Sequence, residues 1–190
     1  MNRADAVARV ARALPVECLT VACNGMIGRE LYTRADSASR FYMIGSMGLA
    51  SSIGLGLALV RPANAIVVFD GDGNVLMNLG TLASVAAAGV ANFYHIVFDN
   101  AAHGSTGDQQ TVSDRVPIDE VARAAGYRTT ARVRSGAELD AALSTLFADP
   151  GPAMLLVEVE RGNVPDIKRV ELEPREITDR FRREACGAGL

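Results

Sequence analysis

Charge is distributed very unevenly along this chain, and that pattern restricts the fold more than any other feature. The chain has 22 acidic and 19 basic residues among its 190, yet residues 41–98 include only Arg61, Asp70 and Asp72. A segment with so few charges must be shielded from water over most of its surface. Two structures provide that shielding: a membrane span, or the interior of an α/β domain whose sheet is covered on both faces.

A membrane span is the less favoured of the two structures. Residues 41–60 and 75–98 carry no charge and are each long enough to cross a bilayer. The first stretch, however, contains four glycines and three serines, and the second contains two asparagines and a histidine. The acidic pair between the stretches leaves little room for a connecting loop. We therefore predict that residues 41–98 form the interior of an α/β protein that does not enter the membrane.

The overall composition excludes several other classes of protein. With 49% hydrophobic and 22% charged residues, the chain is not disordered, and its length suits one folded domain. A net charge of -3 gives no general attraction to nucleic acid or to an anionic membrane. Three cysteines without a C-x-x-C pair predict neither a disulfide framework nor a zinc site. Charges near the N-terminus oppose a signal peptide, so we expect a cytoplasmic protein.

Apolar periodicity predicts strands and helices that alternate along the chain. Strands are predicted at residues 18–22, 42–44, 65–69, 93–98, 127–133 and 153–159. Helices are predicted at residues 4–14, 28–33, 49–60, 79–88, 118–125 and 136–147. This alternation predicts an α/β fold with a doubly wound, mainly parallel sheet and helices on both faces. We assign residues 1–165 to this domain and residues 166–190 to a polar C-terminal arm or tail.

Polar loops follow three of the predicted strands, at residues 24–28, 70–74 and 99–107. Ligands of doubly wound sheets bind beyond the carboxyl ends of the strands. Because the three loops lie at such ends, beside a charge-poor body, they predict a binding site there.

The sharpest motif is VVFDGDGNV at residues 67–75, and it is compatible with three chemistries. A phosphatase of the haloacid dehalogenase type has the D-x-D-G signature that residues 70–73 match. That class also needs a later lysine followed by paired carboxylates, and no suitable pair follows Lys168, the only lysine. A dinucleotide site is weakly supported, because Leu76 stands where a third glycine is required. The phosphatase remains a remote alternative.

A metal-bridged diphosphate site is the third chemistry. Mg²⁺ prefers oxygen ligands and is often bound together with phosphate groups. Asp72 supplies one charged oxygen, and Gly71 and Gly73 beside it allow backbone amides to approach a phosphate. Asn100 follows the next predicted strand, one strand–helix–strand unit later, and can supply a second oxygen ligand.

Gly71–Gly73 followed by Asn100 resembles the diphosphate motif of thiamine-diphosphate enzymes, in which G-D-G is followed one structural unit later by N-N. Asp99 replaces the first asparagine of the pair, which is a departure, whereas Asn100 keeps the ligand position. The resemblance implies thiamine diphosphate and Mg²⁺ as cofactors. It implies Asp72, Asn100 and the main-chain carbonyl of Ala102 as the protein ligands of the metal.

Gly45-Ser46-Met47-Gly48 resembles the segment that precedes this motif in the same family. By that resemblance, Met47 is an apolar wedge that keeps the cofactor bent, and the Gly45 carbonyl accepts a hydrogen bond from the aminopyrimidine. We expect Gly73 and Asn74 to offer amide donors to the diphosphate, with an ordinary turn as the alternative. The expected cofactor-binding residues are Gly25, Gly45, Ser46, Met47, Gly71, Asp72, Gly73, Asn74 and Asn100.

His103 follows the predicted metal ligand Asn100 on a polar loop. We predict that it is catalytic, either in proton transfer or in binding a substrate anion. The alternative is a solvent-exposed loop histidine without a role. Ser105 and Gln109 are weaker candidates for the substrate pocket, whereas His95 lies in a predicted buried strand and is interpreted as a core residue.

Longer stretches resemble one branch of the family, the phosphonopyruvate and sulfopyruvate decarboxylases. They are YMIGSMGLASSIGLGLAL, VVFDGDGNVLMNLGTLASV and FDNAAHGSTGDQQTVS. NGMIGREL at residues 24–31 also resembles the T-G-x-x-S-R-E-L segment of that branch, with Asn24 and Gly28 as departures. The loop at residues 104–107 favours sulfopyruvate over phosphonopyruvate as the substrate.

The resemblance covers only the diphosphate-binding half of such an enzyme. It therefore implies a carboxy-lyase split between two chains, in which a pyrimidine-binding α subunit supplies the glutamate that activates the cofactor. The expected assembly is a hetero-oligomer such as α2β2 or larger, acting on a small anionic 2-oxo acid. The alternative is a non-catalytic cofactor-binding or regulatory subunit of another thiamine-diphosphate enzyme.

Overall fold

One six-stranded parallel sheet organises the chain in the computed structural model, which describes residues 1–187. The strands are β1 Leu19–Ala22, β2 Arg40–Tyr42, β3 Ile66–Gly71, β4 Phe93–Asp99, β5 Thr129–Val133 and β6 Ala153–Glu158. Every pair of neighbouring strands is parallel, and the order across the sheet is β2-β1-β3-β4-β6-β5. The predicted α/β fold with a doubly wound parallel sheet is confirmed.

Helices connect the strands and form two packed groups, one of α1, α2 and α7 and the other of α3, α5 and α6. Local signals set several of their ends: the side chains of Asn2 and Ser135 cap α1 and α7, and left-handed Gly89 and Gly126 end α5 and α6. The helices are α1 Arg3–Ala13, α2 Met26–Ala35, α3 Ala50–Val60, α4 Asp72–Met77, α5 Gly80–Ala88, α6 Ile118–Ala125, α7 Gly136–Leu146 and α8 Pro174–Cys186.

Two local predictions are wrong. The strand predicted at residues 42–44 ends at Tyr42, because the chain then bends into the next loop and leaves Ile44 exposed. The polar loop predicted at residues 70–74 is replaced by the end of β3 and the first turn of α4. An aspartate in the first turn of a helix is favoured by the helix dipole, so Asp72 supports the helical conformation there.

The central strands explain why residues 41–98 need so few charges. β3 and β4 are buried along their whole length, since β1 and β6 flank them and helices cover them. Arg61 lies at the C-terminal end of α3, whereas Asp70 and Asp72 are buried carboxylates. Within residues 1–187, no helix is both long enough and apolar enough to cross a bilayer.

The strand order positions a crevice in the sheet. The chain runs from β1 outward to β2 and then returns to the other side of β1 to form β3. The connections that follow β1 and β3 therefore leave in opposite directions, and the space between their carboxyl ends stays open. Open α/β sheets bind ligands at such a reversal of strand order.

Part of the predicted C-terminal arm is helical and packs against the edge of the sheet. On α8, Ile177 and Phe181 are one helical turn apart and buried, and the Phe181 ring lies 5.6 Å from that of Phe41. Arg180 forms two hydrogen bonds with the Asp36 carboxylate, at 2.7 and 2.8 Å. Arg180 is therefore paired within the chain and does not form a solvated charged face.

Gly54 and Gly56 allow a matched test of how α3 packs on the sheet. A Cβ atom at Gly54 would lie 2.4 Å from Val68 Cγ2, whereas a Cβ atom at Gly56 would have nothing within 4 Å. We predict that Gly54→Ala lowers the free energy of unfolding by about 1–3 kcal/mol through overpacking. Gly56→Ala should raise it by up to about 1 kcal/mol through helix propensity. Chemical denaturation measures both values, and effects of the same sign would contradict the prediction.

Candidate functional site

A cleft opens at the carboxyl ends of β1, β3 and β4. It lies where the three polar loops predicted a site, and most of the residues singled out from the sequence line it. Gly45 and Ser46 are exceptions, because they line a neighbouring apolar cleft, and Gln109 lines neither of the two clefts. The predicted residues in the main cleft are Gly25, Met47, Gly71, Asp72, Gly73, Asn74, Asn100, Ala102, His103 and Ser105.

Asp72 is a buried carboxylate at the start of α4, only 2% exposed. Its Oδ2 accepts a hydrogen bond from the Thr111 hydroxyl. Burial raises the pKa of Asp72 from 3.8 to about 6; the Thr111 hydrogen bond opposes that rise, and the nearby charge of Asp99 adds to it. The ionised form of Asp72 is thus costly, and a cation beside it would offset that cost.

Thr111 and Ser113 connect Asp72 to Asp99, and the sequence analysis missed both. Thr111 Oγ1 lies 3.2 Å from Ser113 Oγ, which donates to Asp99 Oδ1 over 2.7 Å. Asp99 also accepts from the backbone amide of Ala101 at 3.0 Å and does not line the cleft. Asp99, the aspartate that departs from the N-N pattern, therefore has hydrogen-bond partners within the loop. Two hydroxyls in a polar loop are too common a signal to predict this network.

Asn100 contributes a buried amide group whose hydrogen-bonding capacity is only partly used. The residue is 7% exposed, and its Oδ1 accepts from the backbone amide of Ala102 at 3.2 Å. Within residues 1–187, the buried Nδ2 of Asn100 has no hydrogen-bond partner. Because buried polar groups without partners are costly, this amide indicates that a ligand binds in the cleft.

His103 and Met47 converge on the backbone of Gly73 from the two neighbouring loops. A Cβ atom at Gly73 would lie 2.6 Å from His103 Cε1 and 3.2 Å from Met47 Cε, so only glycine allows this approach. The backbone of His103 is fixed in turn, because its amide donates to the Gln109 carbonyl at 2.8 Å. The imidazole thus lies inside the cleft. The alternative prediction, a loop histidine without a role, required the ring to face solvent.

The loop at residues 45–48 is attached to the first turn of α4 and to the residue that follows this helix. Asn74 Oδ1 accepts from the Gly48 amide at 2.9 Å, and Asn78 Nδ2 donates to the Gly48 carbonyl at 3.2 Å. The Oδ1 of Asn74 is therefore committed to the loop. Ser46 has a positive φ of 57° at the exposed turn of the loop.

Gly25 and Gly28 bring the start of α2 close to other backbone segments. Gly25 has a φ of 92°, and a Cβ atom there would lie 3.3 Å from Ser105 Oγ. A Cβ atom at Gly28 would lie 2.6 Å from the Cys23 carbonyl oxygen, so this departure from the family pattern has a packing reason. Beside them, the buried Oδ1 of Asn24 has no hydrogen-bond partner within residues 1–187.

Asp70 and His95 lie in the core and do not line the cleft. His95 Nε2 is 3.2 Å from Asp70 Oδ2, and the other ring nitrogen lies 3.5 Å from the hydroxyl of Tyr127. Both residues are at most 1% exposed, so His95 is a core residue as predicted. Asp70 is enclosed and cannot meet a phosphoryl substrate as the nucleophile of a D-x-D-G phosphatase.

Comparison with known proteins gives the class of protein. The family model "Thiamine pyrophosphate enzyme, C-terminal TPP binding domain" matches residues 20–157. Benzoylformate decarboxylase from Polynucleobacter necessarius has a TM-score of 0.75 over 87% of this chain and 34% of that one, at 16% identity, which supports the fold. The chain belongs to the family of thiamine pyrophosphate enzymes and contains their C-terminal cofactor-binding domain.

Two curated relatives give the position within this family. Sulfopyruvate decarboxylase subunit beta from Methanothermobacter thermautotrophicus is 40% identical over 189 residues, which cover 99% of this chain and 97% of the relative. Phosphonopyruvate decarboxylase from Streptomyces viridochromogenes is 42% identical over 181 residues, which cover 95% of this chain but 45% of the relative. The chain therefore resembles the β subunit over its whole length, and it spans about half the length of the phosphonopyruvate decarboxylase.

Proposed function

We propose that this chain is the diphosphate-binding subunit of a thiamine-diphosphate-dependent decarboxylase that acts on 3-sulfopyruvate or 3-phosphonopyruvate. The observation that carries this proposal is its 40% identity to a sulfopyruvate decarboxylase β subunit over 97% of that subunit. The products would be carbon dioxide and either sulfoacetaldehyde or phosphonoacetaldehyde. Of the two substrates, the coverage of the β subunit favours 3-sulfopyruvate.

The residues of the cleft fit a diphosphate cofactor held through Mg²⁺. Asp72 offers a buried carboxylate whose charge is costly without a cation, and Asn100 offers a buried amide. The carbonyl of Ala102 lies on the same loop. Within residues 1–187, no cluster of three or more His, Cys, Asp or Glu side chains could hold a metal without help. The remaining ligands of the ion would therefore come from phosphate oxygens and water.

The other predicted residues would bind and orient the cofactor. When bound, thiamine diphosphate supplies the electron sink that lets carbon dioxide leave the substrate. Met47, which lines the main cleft, would contact the cofactor as an apolar wedge. The Gly45 carbonyl and Ser46, in the neighbouring apolar cleft, would face the pyrimidine ring of the cofactor. The backbone of Gly25, Gly73 and Asn74 would lie beside the diphosphate.

We further propose that a pyrimidine-binding α subunit covers the mouth of the cleft and supplies the activating glutamate. Large apolar side chains are exposed on the segments around the site: Ile44 is 66%, Leu49 44%, Met77 63% and Val112 53% exposed. A partner that buried them would remove this apolar area from water. An α2β2 or larger assembly and a cytoplasmic location stay predictions.

Reconstitution with the α subunit tests the proposed function directly. The chain and the α subunit would be purified together and assayed for carbon dioxide release from each acid, with thiamine diphosphate and Mg²⁺. Release from either acid by the complex, and by neither chain alone, is the expected result. A complex that binds the cofactor but releases no carbon dioxide would instead favour a non-catalytic subunit.

The pKa of Asp72 predicts a pH dependence of cofactor binding. Mg²⁺ binds the ionised carboxylate, so protons compete with it below about pH 6, and affinity should fall by about tenfold per pH unit there. Calorimetric titration between pH 5 and 8 measures this step. Because the cofactor phosphates also titrate near pH 6, Thr111→Val is the control. Removing the Thr111 hydrogen bond should move the midpoint to higher pH, and an unchanged midpoint would contradict the assignment.

A further inference from the structure

Arg3 is a buried arginine in the wall of the cleft, and the motifs of the family did not point to it. It is 5% exposed at the start of α1. Its Nε lies 3.0 and 3.2 Å from the two carboxylate oxygens of Glu30, and its Nη2 donates to Glu30 Oε1 at 2.9 Å. Nη2 also donates to Asn163 Oδ1 at 2.7 Å. These bonds fix the guanidinium plane rigidly beside the cleft.

One nitrogen of this guanidinium remains available to a ligand. The hydrogen bonds of Arg3 within residues 1–187 use Nε and Nη2, whereas Nη1 faces Gly104 on the loop after β4. A Cβ atom at Gly104 would lie 3.5 Å from Arg3 Nη1 and 3.7 Å from the unpartnered Asn100 Nδ2. It would also lie 3.5 Å from Asn163 Oδ1, an acceptor that already takes the hydrogen bond from Arg3 Nη2. Asn163 holds the two sides together, because its Nδ2 donates to the Gly104 carbonyl at 2.9 Å. Arg3 Nη1, which is not used in those hydrogen bonds, and the buried, unpartnered Asn100 Nδ2 thus lie near the same position in the wall of the cleft.

We propose that Arg3 Nη1 and Asn100 Nδ2 bind a tetrahedral oxyanion in the cleft. A buried guanidinium suits this ligand, because charge-assisted hydrogen bonds to phosphate-like groups are strong and directional. Two sources offer the same chemistry: a phosphate of the cofactor, or the sulfonate or phosphonate of the substrate. The choice of source rests on the proposed function, whereas binding of an oxyanion by Arg3 does not.

Titration with inorganic sulfate and phosphate tests the binding itself. The full chain, without cofactor or metal, would be titrated at constant ionic strength and followed by NMR chemical shifts. Arg3→Lys keeps the charge but loses the planar donor group, and it should weaken binding by about tenfold. Arg9→Lys, on the exposed side of the same helix, should leave affinity unchanged. A wild-type chain that binds neither anion, or an Arg3→Lys chain that binds as tightly, overturns the proposal.

The complex with the α subunit separates the two sources. If the oxyanion belongs to the cofactor, Arg3→Lys should raise the Kd for thiamine diphosphate with Mg²⁺ by about tenfold. If it belongs to the substrate, that Kd stays unchanged and the KM rises for the two acids but not for pyruvate. No change in either quantity overturns the proposal. An inactive complex would contradict the proposed function, yet the sulfate and phosphate titrations would still decide the role of Arg3.

A substitution at Arg3 can leave Glu30 buried without a partner, and such a variant can fail to fold. A second variant keeps the proposal testable in that case. The double variant Arg3→Met with Glu30→Gln removes both charges and keeps similar volumes. Circular dichroism and a cooperative melt should show that it folds, and it should lose sulfate binding as Arg3→Lys does. A folded double variant that still binds sulfate at wild-type affinity also overturns the proposal.

Discussion

Replacing Asp72 with asparagine is expected to abolish magnesium-dependent binding of thiamine diphosphate. In the absence of added cofactor and metal, the same replacement is expected to stabilise the chain at neutral pH. The first effect follows from the loss of the carboxylate of Asp72, the one acidic side chain that lines the main cleft among the described residues 1–187. We expect the affinity in the presence of Mg²⁺ to fall to the level measured without the metal. Calorimetric titration with and without Mg²⁺ measures that difference.

The second effect follows from the raised pKa of Asp72. Burial raises it from 3.8 to about 6, so the folded chain binds this proton more tightly than the unfolded chain does. The destabilisation by Asp72 is absent below pH 3.8, grows as the pH rises, and is complete above about pH 6. Asparagine removes it, which should raise the free energy of unfolding at pH 7.5 by about 2–3 kcal/mol. Denaturation at pH 7.5 and pH 4 should show the gain only at pH 7.5.

Asp70→Asn is the matched control for Asp72, because both are buried carboxylates in the same motif. Asp70 hydrogen-bonds the Gly71 amide and His95 in the core and does not line the cleft. Its replacement should therefore leave magnesium-dependent cofactor binding intact, whatever it does to stability. Equal loss of metal-dependent binding in the two variants would contradict the assignment of Asp72 as the ligand.

The main features of the fold and the centre of the site follow from sequence because both depend on local order along the chain. Alternating strands and helices predict a parallel sheet, and neighbouring parallel strands end at the same edge. Asp72 and Asn100 follow the neighbouring strands β3 and β4, so their meeting in one cleft could be predicted from their spacing. Burial on both faces of the same strands accounts for the low charge of residues 41–98.

Contacts that depend on how loops and distant helices return to the cleft could not be predicted in this way. Thr111 reaches Asp72 because the loop after β4 folds back at Ala102, where it pairs with Gln110. Arg3 and Glu30 form a buried ion pair only because α1 packs on α2. Neither contact produces an apolar periodicity or a motif spacing that could be recognised in a single sequence.

Weak local signals account for the elements that the sequence analysis missed. α8 is a strongly charged helix with two buried residues, Ile177 and Phe181. In the sequence, an apolar stripe of two residues does not distinguish a packed helix from a solvated arm. The separation of Gly45 and Ser46 from Met47 depends on the φ of 57° at Ser46, which turns the loop. A serine in the sequence does not indicate a positive φ, whereas a glycine at the same position would indicate that one is possible.

Replacing His103 with alanine is expected to lower the turnover of the reconstituted enzyme by about 10²–10⁴-fold, the range typical for loss of a general acid or base. His103 is the histidine of the cleft, and its ring packs directly on Gly73, beside the proposed metal ligand Asp72. A proton moved by this ring would be delivered next to the bound cofactor. The Kd for thiamine diphosphate should stay within about threefold, because the backbone around Gly73 is unchanged and loses only a neighbouring side chain.

A variant of the same loop separates the chemistry of His103 from the shape of the loop that holds it. Thr106 Oγ1 donates to Gln109 Oε1 at 2.8 Å and lies 3.2 Å from the His103 carbonyl, so Thr106→Val loosens the loop and keeps the imidazole. If His103 transfers a proton, Thr106→Val should retain most of the turnover, and only His103→Ala should change how kcat depends on pH. Equal losses in the two variants would mean that loop order controls the rate, and full turnover by His103→Ala would exclude a catalytic role.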